Sequence, residues 1–162
     1  MTDFVAKVLE FNQVAGTTGE AFNPRKTALY MGLVLEEVKE MIDSIPLGEE
    51  GSADSQVLQA FAESVGAYSD AFKMGRFDPA IGLMNEEHRE EALDAFVDIS
   101  VVALGGGVAV GADVVGATHE VADNNLSKFP VINGVRTALK DENGKVIKPE
   151  GYKPVSLRKF LR

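Results

Sequence analysis

Leu33-Val-Leu-Glu-Glu-Val-Lys-Glu-Met-Ile42 is the stretch that decides the fold class. With Leu29 and Tyr30 before it and Ile45 after it, its apolar residues Leu33, Val34, Val38 and Met41 recur at threes and fours, the period of an α-helix. The helix is predicted to begin after Pro24 and to stop before Pro46.

The same period recurs on both sides. A first helix is expected from Thr2, as N-cap, to about Val14, with Phe4, Val8 and Phe11 on one face. Ala15-Gly-Thr-Thr-Gly19 then breaks it. Beyond the Leu47–Ala53 loop, a third helix is expected from about Asp54 to Lys73, with Val57, Leu58, Phe61, Val65 and Tyr68 inward. A fourth, from about Asn85 to Val110, is the most apolar, and a fifth runs from about Asp113 to Ser127. After Pro130 the pattern changes, and Asn143-Gly144 between short semi-apolar runs signals a hairpin. The expectation is an all-α fold: one domain over 1–162, with a bundle of four to five helices in 1–128 and a basic appendage in 129–162 ending in a short hairpin or irregular tail.

At 162 residues, 45% of them hydrophobic, the chain can bury a core without staples. It has no cysteine, which excludes disulfides, thiol catalysis and cysteine-held metals, and two histidines, His88 and His119, are too few for a His-rich metal site. Both are read as surface or capping residues. The net charge of −9 argues against a nucleic acid polymer or an anionic membrane as partner. The N-terminus shows no signal-peptide pattern, so a cytoplasmic location is expected. Ala95–Ala112 is nearly uncharged, but Asp98, the acids before it and Gly105-Gly106-Gly107 favour a buried helix that another helix approaches closely over a membrane span.

Charge is unevenly distributed. Residues 1–124 hold seven Lys/Arg against 22 Asp/Glu, and residues 125–162 hold nine against three. Either the acidic part gathers cations while the basic part holds an anionic ligand, or the tail docks on the body by charge. Two helices carry acids on apolar faces. Glu37 shares its face with Tyr30, Leu33, Val34 and Met41, and Glu40 lies one turn on from Glu36 and Glu37. Glu91, Asp94 and Asp98 form one stripe that continues as Val102, Gly105 and Ala109. A buried carboxylate must be protonated, paired or metal-bound. The nearby bases Lys39 and Arg89 lie off these stripes, so metal binding is expected. All-oxygen ligation points to Mg²⁺ or Mn²⁺. Ordinary solvated surface pairs are the competing reading, and Glu86, Glu87 and Glu90 are read that way.

Glu36-Glu-Val-Lys-Glu40 resembles the EExxE signature of the all-α nucleoside triphosphate pyrophosphohydrolases of the MazG type, whose superfamily includes dimeric dUTPases and phosphoribosyl-ATP pyrophosphohydrolase. The family's second motif is ExxD followed by an apolar helix with a Gly seven residues on. Asp98 and Gly105 fit, but Ala95 stands where the Glu is expected. Either Asp94 supplies that ligand or Glu91-Ala-Leu-Asp94 is the motif in a shifted register. Three more segments are similar: Leu9-Glu-Phe-Asn-Gln-Val-Ala-Gly16; Glu120-Val-Ala-Asp-Asn-Asn-Leu-Ser-Lys128, beside the family's EVHxxNxSK; and Asn143-Gly-Lys-Val-Ile-Lys-Pro-Glu-Gly-Tyr-Lys-Pro154, beside its DGKxxKPxGYxP.

The resemblance implies hydrolysis of a nucleoside triphosphate to the monophosphate and pyrophosphate, in a homodimer or homotetramer. It implies Glu37, Glu40, Asp94 and Asp98 as metal ligands, with Glu36 or Glu91 as supporting acid or base. Asn125 and Lys128 would lie beside the nucleotide, with Tyr152 and nearby lysines such as Lys148 closing the site. Asn12 and Gln13 could present amides to a base. The dUTPase-like branch favours a pyrimidine deoxynucleotide. Independently of the family, a helix apolar on every side between Val101 and Val110 offers more surface than one small bundle needs, which predicts an oligomer.

Overall fold

The computed structural model describes residues 2–17, 19, 21–46, 52–141 and 146–162. As expected it is an all-α structure, with six helices and a two-strand hairpin among the described residues: α1 (Thr2–Ala15), α2 (Pro24–Asp43), α3 (Ala53–Lys73), α4 (Asp78–Ile81), α5 (Glu86–Ala109), α6 (Val114–Leu126), β1 (Val131–Ile132) and β2 (Val135–Arg136). A 3-10 turn, Arg158–Phe160, ends the chain. Two compact units result, residues 21–89 and residues 1–20 with 90–162.

In the unit of residues 21–89, α2 packs along α3 and α4 folds back on α2. Asn23 starts α2, its Oδ1 accepting from the Lys26 amide at 2.9 Å, and Pro24 follows in the first turn, where a missing N–H costs nothing. Ser52 caps α3 in the same way, accepting from the Ser55 amide at 3.2 Å. The seam is made of small residues, Ala28, Gly32, Ala62, Val65 and Ser69, all buried. At Gly32 the helices touch backbone to backbone: a Cβ there would lie 2.9 Å from the Ser69 carbonyl oxygen, and the Ser69 hydroxyl donates to the Gly32 carbonyl at 2.8 Å. The short α4 was not foreseen; it follows a turn in which Gly75 has φ +79°.

In the other unit, α1 packs on α6 around Ala15, Ala122, Leu126 and Phe129, the last 1% exposed. Asp113 caps α6 by accepting from the Gly116 amide at 3.1 Å. The hairpin closes at Asn133-Gly134, where both residues have positive φ (54° and 81°), the backbone a two-residue antiparallel turn requires. The hairpin expected at Asn143-Gly144 lies outside the described residues. Its flanks do meet antiparallel, through a Lys140–Val146 bridge and a 2.7 Å bond from the Ile147 amide to the Leu139 carbonyl.

One expectation is overturned. α5 is not a buried core helix: none of its residues is buried, and Val101, Val102 and Val108 are each more than 60% exposed. Among the described residues nothing lies within 4 Å of where a Cβ would stand at Gly105 or Gly106.

Candidate functional site

The sequence-predicted nucleotide residues converge in the unit formed by residues 1–20 and 90–162. Near the C-terminal end of α6, Lys128 donates to Asn125 Oδ1 at 2.7 Å, and its Nζ lies 5.8 Å from the centre of the Phe11 ring. Phe11 in turn packs on the buried Phe129, with ring centres 5.0 Å apart. Asn12, the next residue of α1, turns the chain, its carbonyl accepting from the Thr17 amide (2.9 Å) and hydroxyl (3.1 Å). The tail docks alongside: Tyr152 donates its phenol to Asn124 Oδ1 at 2.7 Å, Asn124 Nδ2 donates to the Lys153 carbonyl at 2.8 Å, and Lys148 lies over the Tyr152 ring at 5.2 Å. Parts of three of the four segments that resemble the family, distant in sequence, thus meet in one unit, α1 with α6 through Phe11 and Lys128, and α6 with the tail through Asn124 and Tyr152.

Sequence reasoning missed several members of this surface. Asn124, not Asn125, holds Tyr152; the Asn124-Asn125 doublet was the visible signal, and only the helical phase decides which amide faces the tail. Phe11 serves as the floor for Lys128, whereas it was read only as core. Two further cations brace the framework. Arg136 spans from Glu10 (3.1 Å) to the Leu126 carbonyl (3.2 Å), and Lys140 donates to the Ala15 carbonyl at 2.8 Å. Lys7 bridges Asp123 (2.8 Å) and Asp3 (3.1 Å), and these hydrogen bonds, Asp123 first, hold its pKa above the ordinary lysine value.

The acid clusters turn out differently from expectation. Glu37 and Glu40 on α2, and Glu91, Asp94 and Asp98 on α5, are exposed, so within one chain water solvates them and burial does not force a cation on them. Glu36 is not short of a base: α3 brings Lys73 to it at 3.1 Å, and Lys73 also meets Asp70 at 3.2 Å. Burial pushes the Lys73 pKa down, but the two carboxylates outweigh it and leave the ammonium above its ordinary value. Lys39 pairs with Asp43 on its own helix. Among the described residues no three His, Asp or Glu side chains gather as a metal site. Within each unit, burial therefore gives no reason for a cation at these acids.

His88 takes part in the cap of α5: its Nδ1 accepts from the Asn85 amide at 3.4 Å, and its own amide donates to Asn85 Oδ1 at 2.9 Å. His119 lies 3.7 Å from Asp3 and edge-on to Phe4.

A pocket of about 340 Å³ opens between Phe4, the end of α5, α6 and the tail; Gly107, Val110, Val114, Leu157 and Phe160 are among its lining residues. Thr118 is the sole hydroxyl in an otherwise apolar lining, which suits a hydrocarbon side chain and offers nothing to a phosphate. Comparison with protein-family models, with curated proteins and with solved structures gives no match.

Proposed function

We propose that this protein binds a nucleoside triphosphate on the surface shared by α1, α6 and the tail, and hydrolyses it to the nucleoside monophosphate and pyrophosphate. Asn12, Asn125, Lys128, Lys148 and Tyr152 all lie in that one unit, where Lys128 meets Asn125 and Tyr152 of the tail meets α6, and this supports the reading most. Amides suited to hydrogen-bond a base stand near ammonium groups suited to a polyphosphate, on a framework tied by side-chain hydrogen bonds.

In the proposed reaction a water oxygen bonds to the α-phosphorus as the bond from that phosphorus to the α–β bridging oxygen breaks, so pyrophosphate leaves. Lys128 offsets phosphate charge as a point cation and is steered by Asn125. The requirement for Mg²⁺ or Mn²⁺ stays with this reading as an expectation from the acid-rich motifs. The resemblance favours dUTP or another pyrimidine deoxynucleotide as substrate, and a homodimer or homotetramer as the working form.

The test is release of pyrophosphate against phosphate from the canonical and deaminated NTPs and dNTPs, with Mg²⁺ or Mn²⁺ and with excess EDTA. Pyrophosphate release that stops in EDTA and collapses in Asp98→Asn is the expected result. Phosphate as the first product, or turnover in excess EDTA, overturns it. The Glu36–Lys73 pair and Ala95 favour a second reading, a nucleotide-binding sensor without turnover. That reading predicts thermal stabilisation by a non-hydrolysable triphosphate and no pyrophosphate from any substrate.

A further inference from the structure

We infer that the apolar cavity between Phe4, α6 and the C-terminal tail binds the hydrocarbon chain of a medium-length fatty acid, whose carboxylate is held at the cavity's edge by Lys159. All the residues involved belong to the unit of residues 1–20 and 90–162. The inference is independent of the nucleotide reading, whose residues on α6 lie at its C-terminal end.

The cavity is set by its frame. On α6, Val114, Ala117, Thr118 and Val121 recur at threes and fours and so turn one face to it, and Phe4 of α1 and Phe160 of the tail supply further wall. Backbone contacts pin the tail to the turn between α5 and α6: the Asp113 amide donates to the Phe160 carbonyl at 2.8 Å, the Arg162 amide donates to the Gly111 carbonyl at 3.0 Å, and Leu161 bridges Ala112. Glycines let the walls meet beside the cavity. A Cβ at Gly116 would stand 2.7 Å from Cε1 of Phe160, and one at Gly107 would stand 2.6 Å from Cγ2 of Val114. Walls fastened in this way hold a preformed space.

The lining selects hydrocarbon. Thr118 carries its one hydroxyl, which donates to the Val115 carbonyl of its own helix at 2.9 Å. A polar group of a ligand would lose its hydrogen bonds to water inside and regain few. The volume selects a chain over a single side chain. A dry apolar cavity of about 150 Å³ accepts benzene, so one of about 340 Å³ has room for roughly a dozen carbons. A leucine or phenylalanine of a protein partner would leave most of that space unfilled, and unfilled space forfeits contacts.

Charge selects the head group. Lys159 Nζ stands 5.0 Å from the centre of the Phe160 ring, part of the cavity wall, and its side chain is 59% exposed, so the ammonium sits where the cavity meets water. Arg158 and Arg162, both exposed, belong to the same pinned tail. Against these three cations stand Glu120, 3.0 Å from Lys159, and Asp113, whose Oδ1 is taken up by the Gly116 amide at 3.1 Å. An anionic head is therefore favoured over a neutral or cationic one, and a fatty acid joins that head to the chain the lining asks for.

Calorimetric titration of the full chain with decanoate, decanol and decyltrimethylammonium, each below its micelle concentration, tests both halves. Decanoate should bind one molecule per chain, about threefold tighter than decanol, the worth of one exposed ion pair, with the ammonium weakest. From octanoate to decanoate affinity should rise about fifteenfold, roughly fourfold per buried methylene, and the gain should stop once the chain outgrows the cavity. Ala117→Trp, which fills the space, should abolish binding. Lys159→Met with Glu120→Gln, exposed and neutral as a pair, should leave decanol unchanged and bring decanoate down to it, whereas Glu120→Gln alone should tighten decanoate. No binding of decanoate by the wild type, equal affinity for the three head groups, or no dependence on chain length overturns the site, and so does binding that a folded Ala117→Trp chain retains. A preference for decanoate that survives in the double variant overturns the role of Lys159. Should circular dichroism show Ala117→Trp unfolded, the chain-length series and the two surface variants decide.

Discussion

α2 and α5 carry the same sequence signal, acids on an otherwise apolar helix, and the fold resolves the two in opposite ways. α2 buries Ala28, Gly32 and Ile42, laying its small residues on α3, and that contact also delivers Lys73 to Glu36. α5 buries nothing, and among the described residues no ion pair reaches its Glu91, Asp94 or Asp98. A helix seam thus does two jobs at once, removing apolar surface from water and bringing a counter-charge from the neighbouring element. Where burial is missing, both needs stay open together.

The largest effect should follow from breaking the α2–α3 seam. Gly32→Val would drive a Cβ to within 2.9 Å of the Ser69 carbonyl oxygen, a backbone atom that cannot swing aside. A loss of about 3 kcal/mol is expected, the upper end for overpacking a close-packed contact, read by urea denaturation. An unchanged midpoint would mean that the helices do not meet there.

The fold class and the positions of five of the helices were legible, because periodicity is a local property of the chain; the caps were less so, since Thr2, expected as an N-cap, lies inside α1 and Asn23, not foreseen, caps α2. The short α4 was not, since four residues offer no period to detect. Nor was the state of α5. A run of Val, Leu and Gly reads as buried in any context, and sequence cannot say whether the covering surface belongs to the same chain. For the candidate site, the residue types that cluster on α1, α6 and the tail were legible through the resemblance. The partners were not: whether Asn124 or Asn125 faces Tyr152 depends on helical phase, and Lys73, more than thirty positions from Glu36, is brought to it only by the seam.

The comparison can be sharpened at the nucleotide surface, which depends on neither acid cluster. Lys128→Ala leaves Asn125 and the Phe11 ring in place and removes one cation. Affinity for a non-hydrolysable triphosphate should fall about tenfold, as expected when one charge-assisted contact is lost, while thermal stability changes little. Calorimetric titration checks it, and an unchanged affinity would exclude this surface as the phosphate side of the site.

A smaller effect separates the two helices directly. In an unpaired helix Gly105→Ala should raise stability by up to about 1 kcal/mol, since alanine loses less backbone entropy on folding. Were the helix paired with a second copy, the same methyl would hold the backbones apart. The expected result is therefore of two signs: higher thermal stability at the dilution where the chain is monomeric, and a weaker dimer in sedimentation. A gain at every concentration would show that Gly105 faces water.

The smallest effect concerns how α6 is held to α1, and it fades only in alkali. Lys7 is held protonated by hydrogen bonds to Asp123 and then Asp3, so its folded pKa lies above the ordinary value of 10.5 that it regains on unfolding. A group with a raised folded pKa stabilises the fold fully while both states are protonated, below about 10.5. That contribution fades as pH climbs through the folded value, because the folded state must then give up the proton as well. Lys7→Met should accordingly melt lower than the wild type by a constant interval from neutrality to the onset of lysine titration, and the interval should close above it. Asp123 is exposed and salt screens such a pair, so the interval should also shrink at high ionic strength. A gap that ignores both pH and salt would assign the role of Lys7 to the packing of its methylene stem against α6 instead of to its charge.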